Sequence, residues 1–471
     1  MNCLGANVRL TGAVLPMGIA PRSGLCQSLT NPRRQYSKSQ IFSVRAKRAW
    51  SGQSPSLTIR NTNVRHASSS IPPESPRKTP LHDLHIAHKG VMVKFGGYML
   101  PIQYGNQSIT ESHLFTRENA SLFDVSHMVQ HTLSGPGAVA FLERITPSDF
   151  TGLPTRSSKL SVLLWPKTGG IVDDTMITRL GPQSFYLVTN AGCREKDINY
   201  LRNQLEEFEK SNGEKVKWEV LEDHGLVALQ GPLSEEIISN VLVEAEVKDL
   251  KKMYFSQSQY IKIKLSDESK SSALLITRGG YTGEDGFEIS IPNNEMVKVT
   301  ERLLQSASDE KLRFAGLAAR DSLRLEAGMC LYGHDLNDLI TPVEAGLSWV
   351  IGKNRRTDGN FNGAEVIIPQ LTPANKGGKG VSKRRVGLIV EGAPAREGTN
   401  IVDAEGSQIG VITSGCPSPS LGKNISMGYV KDGFHRPGTN INVMVRGKGR
   451  KAEVTKMPFV PSKYWKEPTS A

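Results

Sequence analysis

The first 73 residues, Met1 to Pro73, contain ten arginines and lysines and no aspartate or glutamate, and the first carboxylate is Glu74. An Arg-rich, Ser-rich, acid-free N-terminus is the signature of an organelle import peptide, whose positive charge is drawn by a membrane potential. The folded protein must then be built from the residues beyond it. Arg34-Gln35-Tyr36-Ser37 resembles a matrix-processing site and bounds a mitochondrial presequence at 1–36, while Arg65-His66-Ala67-Ser68 offers a second end near residue 67. The formal charge of +12 falls mostly on this segment, and the remainder carries 48 basic against 46 acidic residues. A nucleic-acid partner is therefore not expected. Nor is a membrane span, because no apolar run reaches about 18 uncharged residues.

At roughly 150 residues per domain, 471 residues predict about three domains. A Ser/Pro hinge at 68–80 precedes patterned sequence that mixes helix and strand signals to about Gln370. Phe185 to Asn190 reads as a buried strand, followed by a helix over Arg194 to Phe208 with apolar Ile198, Leu201, Leu205 and Phe208. A second helix is expected over Phe314 to Ala327, ended by Gly328, and Thr341-Pro342-Val343-Glu344 carries a capping box with proline at the first helical position. The Gly/Lys-rich stretch at 371–383 reads as a linker. Beyond it, at 384–467, short β-rich pieces (Val386–Val390, Gly410–Thr413, Ile441–Val445, Ala452–Thr455) alternate with turns, which predicts a small β-barrel or sandwich.

Several chemistries lack their motifs. No GxxxxGK[ST] phosphate loop and no GxGxxG after a strand occur, so neither nucleotide nor flavin is expected. His82, His85 and His88, and His127 with His131, lack the third ligand of a metal site and read as surface or packing histidines. Cys193, Cys330 and Cys416 read as reduced structural thiols, and there is no GxSxG elbow.

Four segments place polar groups where a fold alone would not ask for them. In Gly169-Gly170-Ile171-Val172-Asp173-Asp174, strand alternation turns the two carboxylates to opposite faces, so either one enters a cleft while the other stays solvated, or the two are an ordinary acid pair at a turn. In Gly279 to Ile289 (GGYTGEDGFEI), Glu288 projects opposite Phe287 and Ile289. It reads either as a solvent-facing hairpin acid or as an acceptor for paired N–H groups on a heterocycle edge, such as a pterin or guanine. In Gly316 to Gly328 (GLAARDSLRLEAG), Arg320, Arg324 and Glu326 either pair on a wet face or hold a ligand. Finally, aromatics in Met457 to Trp465 predict a tail that folds back onto an apolar surface.

Taken in order, these segments, with Phe123-Asp124-Val125-Ser126-His127-Met128, Thr189-Asn190-Ala191 and Thr413 to Pro419, closely resemble the aminomethyltransferase (T-protein) family of the glycine cleavage system. The resemblance implies an α+β fold: two intertwined α+β domains over 79–370 around a central cleft, plus a C-terminal β-barrel. It implies transfer of a one-carbon unit from the aminomethyl-lipoyl arm of H-protein to tetrahydrofolate, in a system completed by the P- and L-proteins, in the mitochondrial matrix and without metal, flavin or nucleotide. On the family's motifs, Asp174 is the catalytic acid and Glu288 the pterin-edge carboxylate. Arg320 and Tyr464 neighbour the substrate, and Met128, Asn190, Tyr281, Trp349 and Arg385 line the cleft. The basic run 350–356 predicts a docking surface for an acidic H-protein through Lys353, Arg355 and Arg356. The alternative within the fold, a folate-binding iron-sulfur cluster assembly factor, would carry a KGCYxGQE motif, whereas this chain has GGYTGEDG without cysteine. A folate domain split from a dimethylglycine or sarcosine dehydrogenase would need a flavin domain upstream.

Overall fold

In a computed structural model, which describes residues 75–105, 107–243 and 250–468, strand alternation sorts side chains between cores and a cleft. The expected presequence lies outside the described residues. Along Gly286–Pro292, Phe287, Ile289 and Ile291 are buried in one core, while Glu288 and Ser290 face the other way. This strand belongs to a six-stranded sheet ordered Ser258–Ile261, Leu274–Arg278, Gly286–Pro292, His224–Gln230, Ala120–Asp124 and Leu312–Phe314. Only the last pairing is parallel. Helices Ser234–Ser239 and Met296–Gln305 cover its core face through Ile237, Ile238, Met296, Val299 and Leu303.

A second sheet, wholly antiparallel, is ordered Ser158–Leu164, Ile171–Gly181, Ser184–Thr189, Val129–Ser134 and Lys217–Val220. Helices Ala138–Ile145 and Arg194–Asn212 cover it, with Phe141, Leu142, Tyr200, Leu201 and Phe208 buried against Leu163, Val172, Ile177 and Leu187. The chain leaves the first sheet at Asp124, builds the second from Val129 to Val220, and returns at His224. That excursion intertwines the two halves. Between the uncovered faces, Phe123, Val125 and Leu226 from one half pack with Tyr186 and Val188 from the other.

Six strands from Lys383–Val390 to Lys448–Thr455 close into a barrel. Its interior is filled by alternating residues such as Leu388, Val390, Ile441, Val443 and Val454. The mixed sheets with a C-terminal barrel are the architecture expected from the sequence.

Two local expectations change. Phe314 does not start a helix, because Leu312–Phe314 pairs beside Ala120–Leu122 and the helix begins at Leu317, after the extended Gly316. Thr341 and Glu344 do form the reciprocal capping bonds, Thr341 N to Glu344 Oε2 at 2.9 Å and Glu344 N to Thr341 Oγ1 at 3.3 Å. They cap a single turn rather than a helix, since the chain turns away at Gly346, whose φ of 69° is left-handed.

Candidate active site

The two sheets meet over a pocket lined by Met176, Thr178 and Tyr186 from one and Leu226, Thr277 and Glu288 from the other. Asp174 lies on the same strand face as Met176 and Thr178. The Gly-Gly turn before it is required by close packing: Gly169 has a φ of 65°, and a Cβ on Gly170 would lie 1.9 Å from the Asp338 carbonyl.

The neighbouring acid does not stay solvated. Asp173 is fully buried on the opposite face, beneath the Arg194–Asn212 helix, where it accepts hydrogen bonds from Asn190 N (2.8 Å) and Nδ2 (2.9 Å). The same Asn190 amide donates to Asp174 Oδ1 at 2.9 Å, so one asparagine fixes both acids. Burial, then the Asp173 charge, push the Asp174 carboxyl up to about 7.

Across the cleft, Glu288 is half-buried, and among the described residues no donor reaches its carboxylate. Burial raises its pKa while Arg320 opposes the rise. Arg320 lies with its guanidinium carbon 4.7 Å from the centre of the Tyr281 ring, and its buried Nη1 has no hydrogen-bond partner. Tyr281 is held by its hydroxyl, which donates to the Cys330 carbonyl. Its hydroxyl is pushed above the ordinary tyrosine range by burial first, with the Asp174 charge contributing. Glu288, Arg320, Tyr281 and Asp174 thus form one electrostatic neighbourhood, joined by the half-buried Met128 through its packing on the layer between the sheets.

The remaining expected residues lie elsewhere. Tyr464 stacks on Phe255 with centroids 4.2 Å apart, in a tail that does fold back: Lys463 N donates to the Gly283 carbonyl and Phe255 N to the Trp465 carbonyl. Arg385 spends its guanidinium on the Ala345 and Gly328 carbonyls, pinning barrel to body. Trp349 is 63% exposed. Of the basic run expected to dock a partner, Arg355 is only 5% exposed and donates to the Glu143 and Asn360 carbonyls, so it is an interior residue; Lys353 and Arg356 remain on the surface. The histidines read as packing residues are largely that. His85 is buried between Asp124 (2.8 Å) and Tyr104 (2.9 Å).

Sequence reasoning missed Gln130 and Tyr186, which meet at 2.8 Å beside the cleft, and Asp197, which is buried near Asp173. Asp197 reads in sequence as an ordinary first-turn helix acid, and no local signal separates it from one.

Comparison with known proteins agrees with this architecture. Residues 81–355 match the family model GCVT N-terminal domain, and residues 383–461 match the glycine cleavage T-protein C-terminal barrel domain. A mitochondrial aminomethyltransferase of Flaveria anomala is 47% identical over 390 residues, covering 83% of this chain and 91% of that protein. One of Saccharomyces cerevisiae is 47% identical over 404 residues, covering 83% and 96%. The crystal structure of the glycine cleavage system aminomethyltransferase T from Bartonella henselae superposes with a TM-score of 0.73 at 36% identity, covering 83% of this chain and all of that one. The mitochondrial destination expected from the N-terminal charge pattern agrees with these relatives. The chain therefore belongs to the glycine cleavage T-protein family of mitochondrial aminomethyltransferases.

Proposed function

We propose that the cleft between the two sheets binds tetrahydrofolate and that Asp174 serves the transfer to it of the one-carbon unit carried as an aminomethyl group on the lipoyl arm of H-protein. The observation that carries this reading is that Glu288 and Arg320, which feel each other's charge, have no hydrogen-bond partner among the described residues, and the orphaned Arg320 Nη1 is buried, which is costly unless a ligand completes it. Glu288 accepts the paired N–H groups of the pterin edge, and Arg320 holds a carbonyl or carboxylate of the bound molecules.

The reaction joins two folate amines to an S–CH2–NH3+ carbon while the bonds from that carbon to nitrogen and sulfur break. Two N–H protons leave the folate amines; one completes the lipoyl thiol and the other leaves with ammonia as ammonium. Positioning and charge stabilisation carry most of such a step. Asp174, once ionised, accepts a hydrogen bond or proton from the attacking amine and stabilises the positive charge beside it. Asn190 fixes its direction, and Met128 and Tyr281 shape the apolar and aromatic walls. Tyr464, Trp349 and Arg385 act at the edges: the tail that carries Tyr464 closes over the GYTGEDG turn, Trp349 offers an exposed ring to a partner, and Arg385 keeps the barrel seated. The exposed Lys353 and Arg356 give an acidic H-protein a place to dock. The P- and L-proteins complete the cycle on that same lipoyl arm.

The test is a single turnover of the purified protein mixed with aminomethyl-loaded H-protein, with and without tetrahydrofolate. The reading requires folate-dependent release of both ammonia and methylene-tetrahydrofolate. Tight folate binding without either product contradicts it.

A further inference from the structure

Three side chains that the transfer does not touch converge beneath the cleft. Asp173, Cys193 and Asp197 are all buried, and their carboxylate oxygens and Sγ lie within 4.8 Å of one another. Asp197 comes from the first turn of the Arg194–Asn212 helix and is completely enclosed, yet among the described residues neither of its carboxyl oxygens receives a hydrogen bond of good geometry. Two carboxylates this close and this deep do not both stay ionised, because neither solvent nor a paired cation offsets their repulsion. The nearest cation, Lys196, is directed to the Tyr332 hydroxyl (2.5 Å) and to Asp338 (3.2 Å) instead.

The proton's place follows from the hydrogen bonds. Asp173 accepts two N–H bonds from Asn190, which favour its charged form, whereas among the described residues only the Thr189 hydroxyl approaches Asp197, without a hydrogen bond of good geometry. We infer that Asp197 is a positioning residue for the transfer reaction: a neutral carboxylic acid that donates its proton to the Asp173 carboxylate and so locks the Asn190 amide that aims Asp174. The charge balance agrees, since burial and then the Asp173 charge push the Asp197 carboxyl up to about 10, while the bonds from Asn190 oppose the effect of burial on Asp173. Cys193, its thiol kept protonated by burial and by both acids, and Tyr332, raised by burial and then by the Asp338 charge, add no negative charge to the pocket. The chain of contacts runs from Asp197 to Asp173, Asn190 and Asp174. Without the first proton, the Asp173 charge would be less tied to one orientation and the amide free to turn.

This inference rests on the assignment of Asp174 above. It is tested in the full-length protein with Asp197→Asn, Asp197→Leu and Asp174→Asn. The asparagine amide donates as the carboxyl does, so Asp197→Asn should keep kcat within a few-fold of wild type. Asp197→Leu should lose about 100-fold in kcat, the scale of a small misplacement at the reacting centre, with the folate Kd unchanged. A second readout does not depend on the leucine variant folding. Between the Asp174 midpoint of about 7 and the Asp197 midpoint of about 10, the infrared spectrum should contain a protonated-carboxyl C=O band that Asp197→Asn abolishes.

Wild-type kcat in Asp197→Leu, an Asp197→Asn as damaged as the leucine variant, or persistence of the band in Asp197→Asn would each overturn the inference. So would a stoichiometric metal ion recovered with the wild type and lost from Asp197→Asn, which would put a cation where the proton belongs. Failure of the underlying reading has a different signature, namely full turnover by Asp174→Asn.

Discussion

Two regions of this molecule bury charge, and they do so in opposite ways. At the seam between body and barrel, the charges of Glu326 and Arg324 are answered. Glu326 accepts from Arg117 (2.9 Å), His113 (3.0 Å), Ser418 (2.5 Å) and Ser420 (2.7 Å), and Arg324 reaches Asp335 at 2.7 Å and Ser414 at 2.9 Å. Burial alone would raise the Glu326 pKa, yet His113 foremost, with Ser418 and Ser420, holds it down to about 2. In the cleft, one turn away on the same helix, Arg320 has an orphaned Nη1, and among the described residues Glu288 opposite has no donor. The seam is finished; the cleft is completed only by what it binds.

If that contrast is real, substitutions on its two sides must fail differently. The largest effect is expected for Asp174→Asn, which keeps shape and folate binding but removes the charge. Turnover should fall by about 10²- to 10⁴-fold, the usual scale for a positioned acid or base, and near-normal turnover would refute the role. Next, Glu326→Ala should cost about 1–3 kcal/mol of stability by removing the shared acceptor of Arg117, His113, Ser418 and Ser420, read as a lowered midpoint in urea. Protein that remains folded should bind folate normally; weakened folate binding at unchanged stability would erase the distinction between seam and cleft. Glu288→Ala should do the reverse, weakening folate binding by about 1–3 kcal/mol with little change in the urea midpoint. An unchanged affinity would move the pterin site elsewhere. The smallest effect is expected for charge reversal at Lys353 and Arg356, which should raise KM for lipoylated H-protein but not for free lipoamide donors. Equal effects on both would sink the docking surface.

Legibility in the sequence followed the range of the interactions. Alternation in FEIS put Glu288 on the face away from the core, because a strand's period of two is local. The β texture after residue 383 announced the barrel for the same reason. The capping box was equally readable, but whether a helix came after it was not, since that depends on where the chain must go next. The two acids of GGIVDD were correctly separated onto opposite faces, while the fate of Asp173 depended on a helix starting some 20 residues later. Arg355 looked like a surface cation and is an interior one, for its partners are backbone carbonyls that no spacing rule reveals. The pairing that separates Arg324 and Glu326 from Arg320 is likewise long-range, with acceptors and donors drawn from the barrel.

The claim that an ionised Asp174 drives the transfer is tested most directly by the pH dependence of the single-turnover rate at saturating tetrahydrofolate and loaded H-protein. Only the ionised carboxylate can take a proton from the folate amine or offset the positive charge beside it, so the rate should rise with pH through a midpoint of about 7. In Asp174→Asn the rising limb should disappear. A rate that is flat through this range, or a limb that survives in Asp174→Asn, would contradict the account.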